Sequence, residues 1–226
     1  MSDRAFELAE KLRAVEERIS TAAKSVGRSR SDITLVAVTK FFPASDARIL
    51  FDCGVRNFGE NRDQEGAEKS SLVPPDSNWH FQGQIQGRKI NSIISWAQVI
   101  HSLDSQAHAQ KFNRRLEEIG ESRDFFLQVN LEPERLDRGG VAPSLVGKFL
   151  QEVEGLGALR IIGLMTVLPI EMDIEAGFTE VAALQRANGL PALSIGMSND
   201  FEAAIRAGAT HIRVGSSILG SRPPLA

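Results

Sequence analysis

Between residues 5 and 26 the apolar side chains Ala5, Leu8, Ala9, Leu12, Val15, Ile19 and Ala22 recur at helical spacing with charged residues between them, the pattern of a helix packed along one face. From Ile33 onward the period changes. Short apolar runs at 33–38, 57–58, 79–81, 99–101, 125–129, 159–164, 192–195 and 211–214 alternate with helical stretches near 44–53, 61–69, 87–95, 105–119, 143–155, 174–188 and 199–207. Pro43 and Pro143 stand at helix starts, and Gly54, Gly120, Gly189 and Gly208 at helix stops. Eight alternations without a composition break predict a single-domain α/β fold. The expected architecture is a (β/α)8 TIM barrel with an extra N-terminal helix, the helix over 1–30 and the barrel over 31–226. The shortness of the second and third runs leaves an open sheet of six or seven strands as the alternative.

The run 33–38, bounded by Ser31-Asp32 and by Pro43, reads as a strand buried on both faces. Lys40 follows it. Residues just past barrel strands face the functional rim, so Lys40 belongs over the mouth; the plain alternative is a lysine reaching for water. The other six lysines, Lys11, Lys24, Lys69, Lys89, Lys111 and Lys148, fall in helical, polar contexts where a solvated face is expected. Partial burial and the cation Arg213 are expected to lower the pKa of Lys40.

The same rim collects Asn61, His80, Ser102, Asp104, Asn130 and Met165-Thr166 at or just past the second to sixth runs. After the seventh and eighth come two small-residue turns, Gly196-Met197-Ser198-Asn199 and Gly215-Ser216-Ser217, the second preceded by Arg213. Backbone N–H groups and hydroxyls in such turns suit an anion, and a pair of them after strands seven and eight is the usual phosphate seat of a barrel. Either turn alone reads equally well as helix capping. With an amine across the mouth, the pair points to a phosphorylated ligand that reacts with an amine. Pyridoxal phosphate (PLP) satisfies both features, and so does a phosphosugar aldehyde.

Composition narrows the setting. A net charge of −3, from 26 basic and 29 acidic residues, supplies no field that would draw nucleic acid or an anionic membrane. The N-terminus has no apolar core of signal-peptide length and no apolar run reaches membrane-spanning length, so a cytoplasmic protein is expected. The one cysteine, Cys53, allows no internal disulfide; it is placed in a helix before Gly54 and assigned a packing role.

The motifs Ala37-Val38-Thr39-Lys40, Phe58-Gly59-Glu60-Asn61, Trp79-His80-Phe81-Gln82-Gly83, His101-Ser102-Leu103-Asp104-Ser105, Leu127-Gln128-Val129-Asn130, Gly163-Leu164-Met165, Ser194-Ile195-Gly196-Met197-Ser198 and Arg213-Val214-Gly215-Ser216 occur in this order across nearly the whole chain. The set resembles the pyridoxal phosphate homeostasis protein family. That resemblance implies a single-domain barrel similar to the N-terminal domain of bacterial alanine racemases, carrying PLP as an internal aldimine on Lys40. It implies Ser198, Gly215 and Ser216 at the phosphate, Arg213 near the pyridine nitrogen, and Asn61 and Met165 along the ring. For His80, a place in the pocket and a ring satisfied by backbone both stay open. The chain departs from the family pattern at Gln84, where histidine is usual, at Arg88, where asparagine is usual, and at Arg138, where many members carry a lysine. Arginine forms no imine, which puts in doubt any transfer role at Arg138.

The function so implied is PLP binding and intracellular homeostasis, buffering the free aldehyde and delivering it to apo-enzymes. The alternative is a weak PLP-dependent enzyme such as an amino acid racemase. A racemase of the alanine racemase kind needs a second base, a tyrosine supported by a further β-domain; this sequence has no tyrosine, and its end at Ala226 leaves no room for that domain. An arginine at the pyridine nitrogen also disfavours ring protonation and weakens the electron sink. A Schiff-base aldolase would want an acid or base beside the lysine, and Thr39-Lys40-Phe41-Phe42 supplies none. No catalytic residue is therefore assigned, and a monomer is expected.

Overall fold

The computed structural model describes residues 2–135 and 138–221. The outer limits of the expected domain, 1 and 226, and Asp137 beside Arg138 lie outside the described residues. Helix α1 (Asp3–Ser25) begins at Ser2, whose hydroxyl accepts the Ala5 N–H, and it buries Leu8, Leu12, Val15, Ile19, Ala22 and Ala23. A 3-10 turn, Arg30–Asp32, leads into β1 (Thr34–Val38). Then follow α2 (Ala44–Asp52), β2 (Asn57–Glu60), α3 (Asp63–Leu72), β3 (Asn78–Phe81), α4 (Ile90–Trp96), β4 (Val99–Leu103), α5 (Gln106–Glu118) and β5 (Arg123–Gln128). The second half adds α6 (Val146–Val153), β6 (Leu159–Met165), α7 (Ile174–Ala187), β7 (Ala192–Ser194), α8 (Phe201–Ala207), β8 (His211–Val214) and α9 (Ser216–Leu219). Helix α9, one turn long, is absent from the hydrophobic pattern because four residues are too few to show a helical period.

All eight strands are parallel and the sheet closes, β1 pairing with β8 over Thr34↔His211 to Ala37↔Val214. The open-sheet alternative is thereby excluded; β2 and β3 are four residues each and still pair fully, from Asn57↔Asn78 to Glu60↔Phe81. The expected stops hold: Gly54, Gly120, Gly189 and Gly208 all take positive φ just past their helices, where glycine alone avoids a Cβ clash. Among the described residues no helix is long and apolar enough to cross a membrane.

Strand alternation divides the core in two. Outward-facing Leu35, Ala37, Phe58, Trp79, Phe81, Phe125, Leu127, Ile212 and Val214 pack with the helices in one large cluster. Inside the barrel, the apolar cluster is only Val99, Phe126, Met165 and Ala192. Val36 and Val38 of β1 also face inward, and beside them the interior carries polar groups, with His80, His101, Ser194 and Arg213 all buried.

Two sequence expectations fail. Cys53 is exposed at the C-terminal cap of α2, because the helix ends one residue earlier than its apolar pattern and turns the side chain outward. Lys69 has no solvated face: it is 5% exposed, held between α3 and the sheet by carboxylates that only the tertiary packing brings to it.

Candidate functional site

The inward parity of β1, set by Val36 and Val38, continues past the strand to Lys40, which lines a cavity of about 470 Å³ at the C-terminal mouth. That volume suits a small ligand. Asn61, Met165, Ser198, Arg213, Gly215 and Ser216 line the same cavity, with Val38, Phe42, Gln82, Val167, Met197 and Asp200 among its other walls. The structure thus brings all seven sequence-predicted site residues together. Ser102, Asp104 and Asn130 do not line it; Ser102 Oγ instead donates to Gly83 O at 2.6 Å, and Asn130 Oδ1 accepts the Glu132 N–H. Of the departures, Gln84 and Arg88 are exposed and outside the cavity, while Arg138 braces the rim by donating to Val167 O at 3.4 Å.

The two small-residue turns meet at Ser198. Its hydroxyl oxygen accepts from Gly215 N at 3.2 Å and from Ser217 N at 3.3 Å, and Ser217 Oγ donates to Ser198 O. Two backbone donors converging on one oxygen form an anion nest. Close approach explains the glycine at 215: a Cβ there would lie 3.2 Å from Val38 O. Gly196, at φ 89°, would likewise drive a Cβ to 2.5 Å from Ala204 Cβ, so the first turn needs a glycine to let α8 approach. Ser217, in the second of the turns, donates its N–H at the nest, and Asp200, at the end of the first, accepts the Met197 N–H through its carboxylate at 2.5 Å; neither was assigned a ligand contact from the sequence.

Arg213 is 4% exposed and is held by neutral acceptors: Nη1 donates to Ser194 O and Oγ, both at 2.7 Å, and Nη2 to Thr166 O at 2.8 Å. Burial lowers its pKa to about 10, which leaves it cationic at neutral pH. Behind it runs a buried column. Ser194 Oγ lies 2.9 Å from His101 Nδ1, His101 Nε2 lies 2.8 Å from His80 Nδ1, and His80 Nε2 lies 3.1 Å from Asn57 Oδ1. Arginine only donates, so Ser194 Oγ accepts from it while also bonding His101. The column runs on through the paired rings to His80, whose Nε2 meets Asn57 Oδ1 and, at 3.2 Å, Asn78 Nδ2. Both histidines are neutral: burial, foremost, pushes His80 to about 3 and His101 well below its usual range. His80 therefore belongs neither in the pocket nor on a backbone partner; side chains satisfy it inside the barrel.

Fold and mouth together define a class: a single parallel barrel of the alanine racemase N-terminal type, with a strand-end lysine facing an anion nest. Residues 11–223 match the family model for the alanine racemase N-terminal domain. A relative from Mycobacterium tuberculosis named pyridoxal phosphate homeostasis protein is 35% identical over 97% of this chain and 95% of its own length. PipY from Synechococcus elongatus, solved with PLP bound, superposes with a TM-score of 0.80 at 33% identity, over 94% of this chain and all of that one. Alanine racemase from Corynebacterium glutamicum, at 18% identity and a TM-score of 0.66 over 63% of its length, shares the fold. The chain belongs to the pyridoxal phosphate homeostasis protein family.

Proposed function

We propose that this protein holds pyridoxal phosphate in the mouth of its barrel, with the Lys40 amine as covalent anchor, and serves as a cytoplasmic, monomeric reservoir that releases the cofactor to apo-enzymes. The observation that carries this reading is the single cavity shared by Lys40 and the anion nest. The residues present fit the group. Ser198 Oγ occupies the point where the Gly215 and Ser217 N–H groups converge, marking the place of a phosphate oxygen, with Ser216 beside it. Arg213 would offer a fixed cation to the pyridine nitrogen, and Asn61 and Met165, which line the same cavity, would form walls for the ring. When bound, the cofactor supplies an electrophilic aldehyde; the chain supplies the amine, the anion seat and the walls.

The charged groups of the described lining are Lys40, Asp200 and Arg213. Asp200 is engaged by the Met197 N–H, and the interior histidines lie behind Ser194 with their nitrogens occupied. A lysine without a second base supports holding over turnover, and the relatives' name supports the same. The test is absorbance on adding PLP, followed by borohydride reduction and peptide mapping, alongside Lys40→Ala and a racemase assay. A visible band trapped on the Lys40 peptide, lost in the variant, with no sustained racemisation, is expected. Label scattered over surface lysines sinks the assignment, and turnover at ordinary enzyme rates sinks the carrier reading.

A further inference from the structure

We infer that Lys69, together with Glu60 and Glu65, is a positioning device that fixes the backbone on both sides of Lys40; this rests on the reading that Lys40 is the covalent anchor. Lys69 lies in the last turn of α3 and is buried against the outer face of the barrel. Its Nζ donates to Thr39 O at 2.8 Å, to Glu60 Oε1 at 2.6 Å and to Glu65 Oε2 at 3.4 Å. Thr39 Oγ1 donates to the same Glu60 oxygen at 2.6 Å, so the residue before Lys40 is held by both its carbonyl and its hydroxyl. The residue after it is held too: Phe41 N donates to Glu65 Oε2 at 3.0 Å.

That second hold carries a cost. Phe41 takes φ 70°, a left-handed conformation that a bulky side chain adopts only when its surroundings impose it. The turn is closed from within by Phe42 N donating to Thr39 O, and the Arg62 guanidinium lies 4.7 Å from the Phe41 ring centroid. Strand parity supplies the logic. Thr39 and Glu60 point outward to α3, which leaves Lys40 and Asn61 to point inward to the cavity. Lys69 thus reads from outside the barrel where the reactive amine will stand inside it. A lysine suits this task because one ammonium spreads three donors over a carbonyl and two carboxylates.

The test compares wild type, Lys69→Met and Lys69→Arg for capture of PLP and for binding of pyridoxine 5′-phosphate, which has the phosphate and ring but no aldehyde. Lys69→Met is expected to slow borohydride-trappable capture at Lys40 by roughly tenfold or more, since small misplacement of a reacting group is costly. Pyridoxine 5′-phosphate affinity should stay within about twofold, because the anion nest does not touch Lys69; Lys69→Arg, which keeps the charge, should recover part of the rate. Should Lys69→Met fold poorly, Glu65→Ala frees the Phe41 side while leaving Lys69 on Thr39 O and Glu60, and is expected to slow capture by roughly threefold. Wild-type capture rates in both variants overturn the inference, as does equal loss of both ligands, which would mean a general disturbance of the barrel. Label on a lysine other than Lys40 in the wild type overturns the underlying reading, and this inference with it.

Discussion

The two sides of the cavity are held by opposite chemistry. On the β1 side, the turn carrying Lys40 hangs on charges: an ammonium between two carboxylates, buried outside the sheet. Burial raises the Glu60 carboxyl against the pull of Lys69, so even here the pair works against desolvation. On the β7 and β8 side, the anion nest and Arg213 are held from behind by hydroxyls, carbonyls and, through Ser194, neutral imidazoles, while the carboxylate of that wall, Asp200, is engaged at the turn by the Met197 N–H. The difference follows from what each side presents. A cation meant for a ligand keeps its field only if the groups behind it carry no compensating charge, and a neutral column provides that. The reacting amine needs a fixed origin instead, and strong bonds to the backbone around it provide that.

The comparison breaks most severely in acid. His211, beside Thr210 Oγ1, is lowered to about 4 and His80 to about 3, by burial first and by cationic neighbours next, Arg213 for His211 and His211 for His80. Asp124 opposes the shift at His211. Since these folded pKa values lie below the ordinary 6.5, the unfolded chain takes up protons that the fold refuses. Stability is intact above about pH 6.5 and lost as pH falls towards 4. With His101 shifted in the same direction, the loss between pH 7 and pH 5 is on the order of 5 kcal/mol. Chemical denaturation across that range measures it. A flat profile would mean that the column accepts protons while folded.

A smaller break comes from reversing the charge at Arg213. Arg213→Glu places a carboxylate among Ser194 O, Ser194 Oγ and Thr166 O, which leaves three buried acceptors facing a fourth. The expected loss is about 3 kcal/mol of stability in the ligand-free chain, with an altered absorption band for any PLP retained. A change under about 1 kcal/mol would show that Arg213 is not fixed by these acceptors, and an unaltered band with PLP retained would move its role away from the pyridine nitrogen.

Much of this was legible in the sequence, for a physical reason. A parallel barrel buries each strand on both faces, so each strand reads as a short apolar run, and the residue just beyond it lies at the mouth whatever the distant packing. That rule puts Lys40, Asn61, Met165, Ser198 and Arg213 at or near the mouth together with Ser102, Asp104 and Asn130, which do not line the cavity; it was the resemblance to the family that chose among them. What sits off the rim falls outside the rule. Lys69 shows only a helical spacing from Glu65; its decisive partner, Glu60, lies in a strand, and the two meet only when α3 folds back over β2. His101 and Ser194 belong to β4 and β7, strands that do not pair, and only closure of the barrel brings them together at the head of the column. The capping residue Cys53 was misplaced by one residue at a helix end, where such patterns are weakest.

The smallest effect bears on the nest itself. Ser198→Ala removes the oxygen that both Gly215 N and Ser217 N use in the ligand-free chain, which leaves two donors to find water. Stability should fall by about 1 kcal/mol. Affinity for PLP is expected to move less, by under about fivefold, because two terms oppose. The variant loses a hydroxyl that can donate to a phosphate oxygen, but it no longer has to break two existing bonds before that oxygen enters the nest. Thermal unfolding without ligand and titration with PLP separate the two terms. A loss of affinity of a hundredfold or more would show the hydroxyl to be a principal phosphate contact, and the neutral side of the cavity would then depend on one donor rather than on a backbone frame. Unchanged affinity with reduced stability would confirm that the nest, and not its serine, seats the anion.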